Sequence, residues 1–325
     1  METSATVTPV GFLSHDGTST IKGLVWAPAS SQGQRATAPR GVVQIVHGMS
    51  EYVGRYDEFA RHLVDQGFVV CATDHIGHGK SVASPDKLGC LPTHGKEILI
   101  EDVHELRKTV TSRYSRQTPY VLFGHSMGSF IVRAYLARHG EGVTAAIICG
   151  TGQQPLMLSR AGNFLARRLA ASKGEDHRST LLDGMGAGAF AKQIPDARTP
   201  FDWIATDPAV VDAYIADELC GAMFSVGGYA TLTDLTAEVV TPACAAKVPK
   251  ELPVLFIAGA EDPVGACGKG VRQAADLLRR AGVRDVQMKL YDGMRHEILN
   301  EPGRTQVYTD VVTWIEEHAC HQPTS

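Results

Sequence analysis

The chain has 325 residues, 44% of them hydrophobic and 20% charged, which is enough to bury a full core in one large domain carrying an insertion. A formal charge of -4 and a pI near 6.3 leave no basic footprint for nucleic acid or an anionic membrane. Seven dispersed cysteines without a C-x-x-C pair, no basic-then-apolar leader and no apolar run of membrane-spanning length predict a soluble cytoplasmic protein with reduced thiols and no stable membrane insertion.

In chain order, the first thirty residues, including TIKGLVWAP, predict an antiparallel edge hairpin, and SSQGQRATAPRG (30–41) a surface loop. GVVQIV (41–46) is a β-branched strand, and RYDEFARHLVDQG (55–67) sets Tyr56, Phe59, Leu63 and Val64 at helical spacing before the stop at Gly67. FVVCAT (68–73) is the next strand, 97–114 a helix, PYVLFG (119–124) a strand, 126–140 a helix and VTAAIICG (143–150) a buried strand. Later come the strand PVLFIAG (253–259), a helix over 270–282, the strand VQMKLY (286–291) and a closing helix over 305–318. This alternation predicts a largely parallel sheet flanked by helices. Between 151 and 240 the rhythm breaks into polar, glycine-rich pieces such as DGMGAGAF and VGGYATLTD among helical patches. The reading is a core over 1–150 and 241–325 with a lid or cap, 151–240, inserted between strands.

The stretch GHSMGS (124–129) falls where a strand gives way to a helix. A G-x-S-x-G turn forces its serine onto a strained bend above the carboxyl edge of the sheet, and the flanking glycines avoid collision with neighbouring backbone. Ser126 is thus a candidate nucleophile, with the Met127 N–H at the helix start as an oxyanion donor. A serine hydroxyl needs a histidine to take its proton and a carboxylate to hold that histidine's tautomer, in the chain order serine, acid, histidine. Asp262 follows PVLFIAG and His296 follows VQMKLY, both just past strand ends. Glu261 and Asp292 compete for the acid role. HGMSEYVGRY (47–56) occupies the loop that should supply the second donor, the Met49 N–H.

Other patterns carry less. His75 and His78 with Cys71 lack matched ligands elsewhere, so no metal is predicted. GKS (79–81) lacks the glycine of a phosphate loop, and GMGAGA (184–189) lacks the preceding strand of a dinucleotide fold, so no cofactor is predicted either. His125 and His47 read as structural hydrogen-bonders. Of the cap residues Phe164, Leu165, Leu169, Phe190, Phe201, Trp203, Tyr214, Met223 and Phe224, more than half are expected to form the cap's own small core. The rest would line an apolar acyl tunnel, with Phe201, Trp203 and Phe224 as substrate-binding candidates.

HGMSEYVGRYDEFARHLVDQGFVVCATDHIGHGKS, GHSMGS, AGAEDPV and YDGMRHEILNE resemble the α/β-hydrolases of the monoacylglycerol lipase and lysophospholipase type, also labelled serine aminopeptidase-like. The resemblance covers roughly 40–150 and 250–318. It implies the α/β-hydrolase fold, a mostly parallel eight-stranded sheet with a mainly helical cap after strand 6. It also implies Ser126 as nucleophile, Asp262 as acid, His296 as base and Met49 and Met127 as oxyanion donors. Two positions depart from the pattern: the family commonly has histidine where Tyr52 stands and arginine where Ile76 stands. The expected activity is hydrolysis of a small-molecule or lipid ester, a monoacylglycerol or lysophospholipid. The alternatives are an amide-cleaving aminopeptidase, which would want cap carboxylates for a free amine, and a binding protein that kept only the fold.

Overall fold

The computed structural model describes residues 5–29 and 38–320, so most of the SSQGQRATAPRG loop lies outside the described residues. In chain order the elements are β1 (Ala5–Leu13), β2 (Thr20–Pro28), β3 (Val42–Val46), α1 (Asp57–Asp65), β4 (Val69–Thr73), α2 (Gly95–Thr111), β5 (Tyr120–His125) and α3 (Met127–His139). Then come β6 (Ala145–Cys149), α4 (Leu156–Lys173), α5 (Thr180–Met185), α6 (Ala187–Ala191), α7 (Pro208–Ala216), α8 (Val226–Val239) and α9 (Pro242–Ala245). The chain closes with β7 (Val254–Gly259), α10 (Lys269–Arg280), β8 (Val286–Tyr291) and α11 (Arg304–Ile315).

The strands form one eight-stranded sheet in the order β1-β2-β4-β3-β5-β6-β7-β8. The hairpin pairs antiparallel with itself and with β4, and every later pairing is parallel. Strands β3 to β7 are buried at every position, as a sheet covered on both faces requires. One core cluster, around Leu99, Leu122, Ile131 and Phe256, fills one face; the other, around Trp26, Phe59, Phe123 and Ile147, fills the opposite face. Parallel pairing brings the carboxyl ends of β3, β5, β6, β7 and β8 to one edge. The strand order reverses between β3 and β5, the place where a crevice opens in such sheets.

Between β6 and β7 the chain is mainly helical. Asp207 and Ser225 cap α7 and α8 by accepting the N–H groups of Ala209 and Gly228. VGGYATLTD is no break: it is the first two turns of α8. A Cβ at Gly227 would come 2.0 Å from the Leu91 carbonyl oxygen, so glycine there permits close approach of two backbones. DGMGAGAF likewise falls in α5 and α6. Because α4 packs on α8 and α8 on α2 and α3, the aromatic and aliphatic side chains of this segment divide differently from the sequence expectation. Leu165, Leu169 and Phe224 join the main core, while Phe201, Trp203 and Tyr214 belong to a small cluster around Ile204 and Val211. Phe164 is 68% exposed.

Arg133, buried on α3, ties both ends of the segment to the sheet. It donates to Gly152 O at 2.9 Å, Thr151 Oγ1 at 3.3 Å and Gln153 Oε1 at 2.8 Å on one side and to Val239 O at 2.9 Å on the other. Burial pushes its guanidinium down to about 10. Among the described residues no helix is long and apolar enough to cross a membrane.

Candidate active site

Ser126 stands between β5 and α3 with φ 53 and ψ -120, a conformation that non-glycine residues adopt only when their surroundings impose it. The surroundings are tight. A Cβ on Gly128 would sit 2.0 Å from Val46 O, and one on Gly124 2.5 Å from Gly128 O, so both glycines are required by the approach of α3 to the strand ends. The Ser126 N–H donates to Cys149 O at 3.0 Å, and the Ser129 N–H returns to Ser126 O at 2.9 Å. Ser126 is partly exposed in a turn whose neighbours are buried.

The imidazole of His296 reaches the same place from the β8 end. Its ring packs on Gly150, where an added Cβ would lie 3.1 Å from His296 Cε1, one residue beyond the carbonyl that holds Ser126. His296 Nδ1 donates to Asp262 Oδ2 at 3.0 Å, and Asp262 Oδ1 accepts the Val264 N–H at 2.9 Å. Asp262 is fully buried and His296 only 3% exposed. With Nδ1 committed as donor to a carboxylate, Nε2 of the neutral ring is the acceptor left for a hydroxyl proton. Glu261 and Asp292 are absent from the hydrogen bonds of this ring.

The Met49 loop faces Ser126 from β3, since a Cβ on Gly48 would come 2.9 Å from Ser126 Cβ. Among the described residues no acceptor takes the Met49 N–H. Met127 is the first residue of α3, where helix N–H groups have no intrahelical partner. Of the three cap candidates, Trp203 lies on His296 with ring centroids 5.0 Å apart, and Phe201 packs on Tyr214 at 5.2 Å. Phe224 sits deeper, fully buried between His78 and Tyr229.

Beneath these groups lies a buried polar layer that no periodicity in the sequence announces. Glu51 accepts from the Gly48 N–H, from Tyr56 Oη at 2.8 Å and from His125 Nδ1 at 3.1 Å. His125 Nε2 faces the carbonyl oxygen of His296 at 3.2 Å. Both His125 partners are oxygens that can accept, an arrangement that favours the doubly protonated ring. Burial alone would lower the His125 pKa, but the Glu51 carboxylate raises it. Conversely, burial opposes Glu51 ionisation, yet His125, Arg55 and Tyr56 bring its carboxyl down to about 2. Arg55 bridges Glu51 and Glu297, next to His296. The β6–β7 segment closes over the same loop: Glu297 N–H donates to Ile204 O at 2.7 Å, and Arg295 Nη1 to Asp202 O at 2.6 Å. Glu301, buried, accepts from Thr206 N–H at 2.9 Å and Arg295 N–H at 2.8 Å.

His47, His75 and His78 cluster behind the Met49 loop. His47 Nε2 accepts the His75 N–H at 3.0 Å, so its Nδ1 carries the proton and donates to Gly48 O at 2.8 Å. These are neutral structural rings, and among the described residues no group of side chains is arranged to hold a metal ion. Burial depresses all three pKa values, that of His78 from 6.5 to about 4. A base depressed in the folded state stabilises the fold above its unfolded pKa and loses that contribution as pH falls towards the folded value. The urea midpoint is therefore expected to drop between pH 6.5 and 4, with His78 alone accounting for about 3 kcal/mol. Glu51 adds loss in the same direction below 4.5, whereas Asp74, raised by burial, opposes it. A midpoint constant across that window would contradict the neutral assignment of the cluster.

The chain resembles known proteins in both sequence and fold. The chain is 30% identical over 304 residues to the monoacylglycerol lipase of Mycolicibacterium smegmatis, covering 90% of this chain and 92% of that protein. It is 24% identical over 292 residues to human monoglyceride lipase, covering 87% and 84%. Among solved structures, a thermostable carboxyl esterase from Bacillus coagulans in complex with glycerol superimposes with a TM-score of 0.88 at 32% identity, over 97% of this chain and 99% of that one. A monoglyceride lipase from Saccharomyces cerevisiae shares the fold, with a TM-score of 0.74 at 19% identity over 98% of each chain. The profile of the family described as serine aminopeptidase, S33, matches residues 37–303, and the chain belongs to this family of α/β-hydrolases.

Proposed function

We propose that this hydrolase cleaves carboxylic esters through an acyl-enzyme on Ser126. His296 Nε2 takes the Ser126 proton as Oγ attacks the ester carbonyl, and the resulting oxyanion is held by the N–H groups of Met49 and Met127. Collapse breaks the ester C–O bond, His296 returns the proton to the leaving alcohol, and a water deprotonated by the same nitrogen then releases the carboxylic acid. The observation that carries this reading is the buried Asp262–His296 hydrogen bond beside a serine held at positive φ.

The relatives' names support a monoacylglycerol as substrate, with a lysophospholipid as a close chemical variant. In this reading residues 151–240 act as a cap, and Trp203, lying on His296, borders the acyl site. Several carboxylates of that segment already have partners within the chain: Asp176 with Lys87, Asp212 with Arg198, Asp217 with Tyr52, and Glu238 with Lys96 and Arg138. This favours an ester over a substrate with a free amine. A panel running from short p-nitrophenyl esters through monoacylglycerols and lysophospholipids to aminoacyl amides tests the proposal. Highest kcat/KM on long-chain monoacylglycerols is expected; a preference for the amides would overturn it.

A further inference from the structure

The Met49 loop is fastened on two sides. From below, Glu51 holds the Gly48 N–H. From above, Ser50 is held by a short stretch of the β6–β7 segment, and this fastening involves every polar group Ser50 has beyond its own N–H. The Ser50 carbonyl accepts from the Gly221 N–H and from Tyr214 Oη, both at 2.9 Å, while Ser50 Oγ donates to Ala222 O at 2.6 Å. Two residues along, Tyr52 Oη donates to Asp217 Oδ2 at 2.9 Å. Ser50 also stands at φ 57, so its backbone occupies a region it would leave without outside restraint. Met49 lies between the two fastenings, its N–H pointing to no acceptor of the chain among the described residues.

We propose that Ser50 and Tyr52 are positioning residues for the oxyanion donor of Met49, acting through Asp217, Gly221 and Ala222 of the β6–β7 segment. The proposal rests on the ester-hydrolase reading given above and adds to it a source of order for the loop. Tyr52 is where the chain departs from the histidine common in its family. A phenol suits the task because it can only donate to this carboxylate at ordinary pH: burial together with the Asp217 hydrogen bond raises its pKa to about 12. The hydroxyl is 2.9 Å from its acceptor, and the loop it belongs to carries the donor three residues earlier. A misplaced donor weakens transition-state binding while leaving the ground-state ester, bound mainly through its acyl chain, little affected.

The test compares wild type with Tyr52→Phe, Asp217→Ala and the double variant, reading kcat and KM on a p-nitrophenyl ester together with amide hydrogen exchange at Gly221. Full loss of one oxyanion donor costs about 10²–10³ in kcat, so a loosened donor is expected to cost about tenfold. KM should change less than twofold. The double variant should be no slower than either single, because one linkage is removed twice. Exchange at Gly221 should accelerate at least as strongly. Unchanged kcat in folded single variants overturns the proposal, and so does additive loss, a change confined to KM, or a fall in kcat with Gly221 exchange unaltered. If wild type hydrolyses none of the panel esters, the ester reading fails by itself. The linkage is then judged on Gly221 exchange alone, and unaltered exchange overturns it.

Discussion

Ser126→Ala is expected to lower p-nitrophenyl ester turnover by about 10⁶-fold while leaving the far-UV circular dichroism and the melting temperature within a few degrees of wild type. The size of the loss follows from the proposed chemistry: without Oγ no acyl-enzyme can form, and only the proposed oxyanion donors and binding would remain to assist water. The unchanged fold follows from the geometry. Alanine keeps the Cβ that meets Gly48, and the backbone bonds of residue 126 to Cys149 and Ser129 do not involve the hydroxyl. The strain at φ 53 is the same for both residues. Turnover above one per cent of wild type in the purified variant would remove Ser126 from the role of nucleophile, and loss of fluorophosphonate labelling should accompany the loss of turnover.

Asp262→Asn is expected to reduce kcat by about 10⁴-fold with little loss of stability. The reason lies in which oxygen faces which donor. Oδ1 accepts the Val264 N–H, so the asparagine carbonyl must take that position and its NH₂ must face His296. The Nδ1 atom then becomes an acceptor, the ring proton moves to Nε2, and the nitrogen proposed to take the Ser126 proton has no lone pair for it. Both hydrogen bonds of residue 262 survive, that from the Val264 N–H unchanged and that with His296 reversed in sense, which is why the protein stays folded. A kcat within tenfold of wild type would place the acid elsewhere, at Glu261 or Asp292.

Much of this site could be read before any coordinates. Fully buried parallel strands show as unbroken β-branched runs, so β3 to β7 were identifiable within one or two residues. The catalytic candidates follow strand ends, and parallel pairing carries strand ends to one edge. What stayed hidden depends on contacts between distant segments. The glycines of α8 suggest a break because glycine usually is one, yet the approach of Leu91 to Gly227 makes them a packing requirement. Gly95 opens α2 two residues before the predicted start for a similar reason, lying against Thr231. The aromatic residues of 151–240 could not be divided between cores, since that division depends on α8 lying across α3. The pairing of Glu51 with His125, 74 positions apart, has no spacing rule to reveal it.

The grip of Arg133 bears on how this protein can diversify. Two of its four acceptors, Gly152 O and Val239 O, are peptide carbonyls, which every amino acid supplies. Each root of the helical segment thus has one anchor that does not depend on side-chain identity, so mutations can accumulate in between while the attachment to α3 persists. A graft of a foreign insertion would keep these anchors, but it would have to bring its own counterparts of Asp217 and Thr206.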